Sequence, residues 1–350
     1  MKKVIARILK WLFVFAVILV VAYVLGPRPA EPVYSTTMPV VPEDPALLEA
    51  YVKNNEALHR LKPNNEARIL WANDSLKQKT EYAIVYLHGF SASQEEGNPI
   101  HVDIAKEFGC NLYLSRLAEH GIDTTEPMAN LDPDKYWESA KQALAIGRRL
   151  GNKVILMGTS TGGTNALQLA AAFPEEIAAL VLMSPNIAIN NDNAYLLNKP
   201  WGWQLARIIS GSDHVTSKDK RPITAQYWYC RYPLRAAVEL QEMLATTMNE
   251  RTFKRVNEPL LLLYYYKDSV HQDSTVKVSA MLKMFDELGT PSDMKARVAL
   301  PNVGDHVMGS YIHSRDLASV QKAIEDFMVR VIRINEVRHI PINDSIQLLH

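Results

Sequence analysis

The stretch ILMGTSTGGTNAL, residues 155–167, decides how this chain is read. An apolar run breaks off in a cluster of small residues, and a helix-forming segment follows at once. Gly158-Thr159-Ser160-Thr161-Gly162 fits G-x-S-x-G, a strand-to-helix elbow that projects a serine hydroxyl from a strained backbone. The glycines two before and two after the serine remove side chains that would collide where strand and helix meet. A helix beginning just past Ser160 offers free N–H groups and the positive end of its dipole to negative charge at that point. The same five residues also occur as an ordinary turn with a convenient serine. The apolar strand KVILMG before them and the alanine-rich helix TNALQLAAAF after them supply the context that the elbow requires.

Outward from this point the chain alternates. RILWAN (68–73), YAIVYL (82–87), NLYLSRL, KVILMG, IAALVLMS, PLLLLYYY (259–266) and MKARVAL read as strands. PIHVDIAKEFG, DKYWESAKQALAIGRRL, TNALQLAAAF, the segment around TVKVSAMLKMFDELG and RDLASVQKAIEDFMVRVI read as helices between or after them, and DPALLEAYVKNNEALHR as a helix before the first strand. The strands are nearly continuous apolar runs, as expected where both faces are covered. The order therefore predicts an α/β fold: a mostly parallel central sheet with helices on both faces. Residues 186–257 interrupt the alternation. They are too long for a connection and carry Trp201, Trp203, Tyr227, Trp228, Tyr229 and Tyr232, which reads as an inserted cap over a site. The body spans 46–333, and the tail 334–350 has no assigned role.

The first 25 residues stand apart. Lys2, Lys3, Arg7 and Lys10 precede or begin WLFVFAVILVVAYVL, fifteen residues without a charge. Counted from Val4 to Leu25 the apolar segment makes about 33 Å of helix, with Arg7 and Lys10 snorkelling. A signal peptide and a transmembrane anchor both fit this pattern. Val24, Gly26 and Pro27 make a poor cleavage site, which favours an uncleaved anchor. The basic residues before the span place the N-terminus in the cytoplasm and the body on the non-cytoplasmic side, the periplasm in a Gram-negative cell. Residues 26–45 hold six prolines and read as an extended tether.

The formal net charge of +0 gives no reason to expect a nucleic-acid partner. Cys110 and Cys230 have no metal-ligand spacing and read as free, buried and inert. Oligomeric state is not legible.

With LHGF at 87–90 ending a strand upstream of GTSTGG, the chain resembles the α/β-hydrolase superfamily, in particular its carboxylesterase and monoacylglycerol-lipase-like serine hydrolases. The resemblance covers about residues 82–333. It implies an oxyanion hole from the backbone N–H groups of Phe90 and Thr161, with His88 shaping the loop. It implies a chain order of nucleophile, acid, base: Ser160, then Asp268 just past the strand PLLLLYYY, then His306 in PNVGDHVMGS. Asp273 is the rival acid, read instead as a helix N-cap; His313 and His271 are rival bases, and Asp305 is read as a loop charge. His306 departs from the family's Gly-His by the intervening Asp305. The implied chemistry is acyl transfer through a Ser-His-Asp triad on a small-molecule carboxylic ester, such as a monoacylglycerol or lysolipid, with no metal or organic cofactor. Arg116, Trp201, Trp203 and Trp228 are candidate substrate contacts, with His120 beside Arg116. A serine peptidase of the same superfamily would need cap carboxylates for a free amino terminus, for which Glu239 and Glu242 are the candidates. A non-catalytic binding protein would lack a triad member.

Overall fold

The computed structural model describes residues 2–337. In chain order it contains α1 (Lys2–Val24), α2 (Pro45–Ala57), β1 (Arg68–Leu70), β2 (Thr80–Leu87), α3 (Ile100–Glu107), β3 (Asn111–Leu114), α4 (Pro133–Leu150), β4 (Gly151–Thr159), α5 (Thr161–Ala172) and β5 (Ala179–Met183). Then come α6 (Gly202–Ser210), β6 (His214–Thr216), α7 (Pro222–Tyr227), β7 (Arg231–Pro233), α8 (Leu234–Thr247) and α9 (Glu250–Phe253). β8 (Leu260–Tyr264), α10 (Val278–Glu287), β9 (Lys295–Ala299) and α11 (Leu317–Phe327) complete it.

Seven strands form one sheet in the order β1-β3-β2-β4-β5-β8-β9. Only β1 runs antiparallel to its neighbour. The continuous apolar runs resolve into two faces with a period of two. Ala83, Val85 and Leu87 of β2 and Val154 and Leu156 of β4 belong to one core cluster, which also holds α4 and α5 residues such as Trp137 and Leu167. Ile84 and Tyr86, and Ile155 and Met157, belong to the other, with Ile104 of α3 and Ile324 of α11. The inner strands are thus buried on both faces, and alternation vanishes from their sequence for that reason, while the edge strands β1 and β9 stay partly exposed.

α4 shows why such segments become helices. Asp132 accepts a hydrogen bond from Lys135 N at 2.8 Å as N-cap, Pro133 occupies the first turn, and Arg148 and Arg149 lie in the last turn against the dipole. The interrupting segment between β5 and β8 holds α6 to α9 and the β6–β7 hairpin, outside the main sheet. α1 has no buried residue and is long and apolar enough to cross a membrane. Residues 338–350, most of the expected tail, lie outside the described residues.

The proline-rich stretch differs from a free tether. It forms no helix or strand before Pro45, yet it is strapped along α4. The Trp137 indole N–H donates to Ser35 O at 2.7 Å and Lys141 Nζ donates to Thr37 O at 2.7 Å. Asp134 accepts from Val33 and Tyr34 N, and Val41 is buried in the core. Tyr34, Met38 and Val41 supply the apolar contacts that proline count alone conceals.

At the centre β4 meets α5 closely. A Cβ on Gly162 would overlap the Leu87 carbonyl oxygen of the neighbouring strand. The close approach of α5 to β2 therefore admits glycine alone. Gly162→Ala should destabilise the protein by about 1–3 kcal/mol, the usual cost of overpacking, measured by denaturant unfolding of the detergent-solubilised chain against wild type.

Candidate active site

Ser160 stands between β4 and α5 with φ 52° and ψ −119°. A non-glycine residue in such a region costs about 1–3 kcal/mol and persists only where its surroundings over-determine it. Here Ser160 N donates to Met183 O at 3.0 Å, and Asn186 N donates to Ser160 O at 2.8 Å. The end of β5 thus clamps the peptide units on both sides of the serine. The elbow expected from the sequence is present.

The parallel topology sends the loops after β2, β4, β8 and β9 to one end of the sheet, where ligand sites of such folds gather. His306 arrives from the loop after β9, and its Nδ1 lies 2.6 Å from Asp273 Oδ2. Asp273 is fully buried; its Oδ1 accepts from the N–H groups of Thr275 and Val276. Burial works to raise the Asp273 pKa, but the charge and hydrogen bond of His306 and these two N–H groups outweigh it and hold the carboxylate below its ordinary range. For His306, burial works to lower the pKa. The Asp273 charge and hydrogen bond, helped by Glu96 and Asp305, reverse this and raise it.

The partner of His306 is therefore Asp273, not Asp268. Asp268 is half exposed and pairs with His271 Nδ1 at 2.9 Å, and its Oδ1 accepts from Val270 and His271 N. The cause is a small excursion beyond β8. Lys267 N donates to His271 O, Asp273 N donates to Tyr265 O, and Tyr266 bridges Gln272. Residues 267–271 form the tip of this hairpin, and Asp273 returns the chain to the strand end. Asp273 does not cap a helix, since α10 begins only at Val278; one carboxylate oxygen holds the Thr275–Val276 turn while the other holds the imidazole.

Phe90 follows the His88-Gly89 turn after β2. A Cβ on Gly89 would lie 2.8 Å from Glu96 Oε1 and 2.9 Å from Ser160 Cβ, so this loop is pressed against the serine. The N–H groups of Phe90 and Thr161 take no protein acceptor among the described residues. Two buried imidazoles hold the loop. Leu117 N donates to His88 Nε2 at 3.0 Å, so its Nδ1 carries the proton and donates to Gly89 O. Ser91 N donates to His120 Nε2 at 3.0 Å, leaving Nδ1 to donate to Ala118 O. Burial lowers both pKa values, that of His88 to about 4, and keeps both rings neutral. Glu96 went unnoticed in the sequence. It is buried, accepts from Gly89 N, and burial pushes its carboxyl up to about 7.

Ser160, His306, Phe90 and Glu96 line one cavity of about 740 Å³. The interrupting segment contributes most of the remaining wall, including Leu196, Leu205, Val215, Trp228 and Tyr232. Of the expected substrate contacts only Trp228 reaches it. Arg116 is turned away into a buried ion pair, Nε to Glu56 Oε2 at 2.7 Å. Trp203 lines a separate cleft, and Trp201 contacts the end of α1. Cys110 and Cys230 are free; Cys230 is half-buried and borders the cavity, unlike the sealed thiol expected.

A model of the alpha/beta hydrolase fold matches residues 82–280. The chain belongs to this family. The lipase LipV of Mycobacterium tuberculosis is 27% identical over 134 residues, 37% of this chain and 49% of that protein. The chain thus spans about half the length of this relative. Among solved structures, one from a study of the metagenome-derived lipolytic enzymes LipS and LipT aligns with a TM-score of 0.61 at 17% identity, covering 77% of this chain and 99% of that one. The monoacylglycerol lipase of Paleococcus ferrophilus aligns at 0.53 and 14%, covering 75% and 97%. At these identities the structures show the α/β-hydrolase fold that the chain shares with them.

The coupled shifts fix the sign of the pH response. His306, with a raised pKa, contributes stability that is complete below the unfolded value and fades as pH rises through the folded one. Asp273, with a lowered pKa, contributes above its unfolded value and loses that contribution as pH falls through the folded one. Asp273→Asn should lower the His306 pKa in an NMR titration, whereas Asp268→Asn should leave it in place.

Proposed function

We propose that this hydrolase cleaves carboxylic esters through an acyl-enzyme on Ser160, with His306 as base and Asp273 as the acid that orients it. The observation that carries the reading is the buried 2.6 Å contact of His306 with Asp273, with His306 and the strained Ser160 on the wall of one cavity. Ser160 Oγ attacks the acyl carbon as His306 takes its proton. Asp273 fixes the proton-bearing Nδ1 and stabilises the imidazolium. The Phe90 and Thr161 N–H groups, the latter at the positive end of α5, receive the oxyanion. His306 returns the proton to the leaving alcohol, and water releases the acyl group by the reverse sequence.

The mostly apolar cavity wall suits an acyl chain, and its volume falls in the range of small-molecule sites. The lipolytic names of the relatives agree with this substrate class. Neither carboxylate proposed for a peptidase lines the cavity: Glu239 faces Arg235, and Glu242 accepts from Asn198. We further read α1 as an uncleaved membrane anchor with the body on the non-cytoplasmic side.

Ser160→Ala should abolish turnover of p-nitrophenyl butyrate and labelling by a fluorophosphonate. Asp273→Asn should lower kcat by about a thousandfold or more, the scale of a triad carboxylate lost to an amide, while Asp268→Asn stays within threefold of wild type. The reverse ranking of the two aspartates would overturn the assignment.

Glu96 sets a second pH expectation. Above about pH 7 its carboxyl ionises, which places negative charge beside the site of the oxyanion and helps to keep His306 protonated. Both effects oppose catalysis. Glu96→Gln should therefore retain more activity than wild type on the alkaline side and shift the acid limb of kcat/KM downward, read from full pH–rate profiles.

A further inference from the structure

The end of α1 and the start of α6 are joined through one residue. Among the last carbonyls of α1, which a helix end leaves without intrahelical partners, Val21 O accepts from Leu25 N and Tyr23 O from Gly26 N. Ala22 O accepts from the Trp201 indole N–H at 2.9 Å. Trp201 N in turn donates to Pro27 O at 2.9 Å. A Cβ on Gly26 would overlap the indole, so the ring lies directly on the chain as it leaves α1. Trp201 itself adopts φ 65°, a left-handed conformation that this pair of contacts holds.

α6 begins at the next residue. Leu205, Ile208 and Ile209 stand at i, i+3 and i+4 on one face. Ile208 is 79% exposed and Ile209 76%. Leu205 and Ile209 also line the catalytic cavity, so the apolar face borders its wall. Beside it, Arg28, Lys199 and Arg235, the last paired with Glu239, border a small cleft shared by the start of the tether and the interrupting segment. An amphipathic helix with an unpartnered isoleucine face, a tryptophan at its base and basic residues alongside has the make-up of an interfacial helix. Its position is fixed within the last turn of a helix able to span the bilayer.

We propose that α6 docks into the headgroup–acyl boundary of the membrane that α1 crosses, and that the cavity draws its substrate sideways from that leaflet. The occupant of the exposed face is lipid, with Arg28 and Lys199 beside it for anionic headgroups. This rests on the anchor and esterase readings above and deepens them. The substrate class becomes esters partitioned in the bilayer, which would enter past Leu205 and Ile209 into the cavity that Ser160 also lines.

The test uses the full chain in vesicles of phosphatidylcholine and phosphatidylglycerol. In a background with Cys110→Ala and Cys230→Ala, an environment-sensitive probe is placed on Ile208→Cys or, as control, on Leu76→Cys. Leu76 is exposed in the turn before β2, at the end of the sheet opposite the cavity. Doxyl-labelled lipid should quench the probe at 208 several-fold more than the probe at 76. Separately, Ile208→Asp should lower hydrolysis of a long-chain ester embedded in the vesicles tenfold or more, and leave soluble p-nitrophenyl acetate within twofold. Equal quenching at both sites in protein that floats with the vesicles would overturn the docking and leave the anchor standing. Loss of flotation after alkaline wash would overturn the anchor instead. Wild type that turns over neither ester would overturn the esterase reading, while the quenching comparison still decides the docking. Ile208→Asp that converts a dimer to a monomer with both activities unchanged would assign the face to a second copy and overturn the proposal.

Discussion

The backbone of Ser160 is the constraint on which the site is built. A serine at φ 52° is held only because β5 clamps it from both sides and because Gly162 lets α5 approach β2. Those same contacts set where the α5 N-terminus points and where the Gly89 turn can pass. The strain is local, but the atoms that enforce it come from three adjacent strands. These strands lie at the centre of the sheet, buried on both faces.

Around that fixed point the remaining groups are held by buried polar contacts. His88 and His120 are neutral and fully bonded, and they secure the loop that carries Phe90. Glu96 grips the same loop from the other side through Gly89 N. Asp273 divides its carboxylate between two backbone N–H groups and an imidazole. Each group is expensive to bury alone and is offset by a named partner. The site is thereby preorganised by hydrogen bonds, and its apolar wall comes from a separate part of the chain, between β5 and β8.

Much of this was legible in the sequence. Strand and helix alternation, the elbow at Ser160, the His88-Gly89-Phe90 turn and the loop of His306 all depend on local pattern, and local pattern is what a sequence displays. The carboxylate that meets His306 was not legible because its position depends on a hairpin tip at 267–271 that has no apolar signature, and because Asp268 stands at the expected spacing. Asp273 offered a turn-capping role that is real and that concealed its other oxygen. Arg116 and Trp203 looked available for substrate because burial and pairing over sixty residues, as between Arg116 and Glu56, leave no trace in spacing. Glu96 stands beside Gln94 and Glu95, a polar run with no apolar pattern to signal that all three are buried.

The strap along α4 has a consequence for how the body can be separated from its leader. Trp137 and Lys141 each give a hydrogen bond to a backbone carbonyl of residues 35–37. A cut just before α2, where regular secondary structure resumes at Pro45, would strand the indole N–H and remove one of the two partners of an ammonium that is otherwise paired with Glu138. Proteolytic shedding that spares the body is therefore confined to residues 26–32, ahead of the contacts made by Val33 and Tyr34.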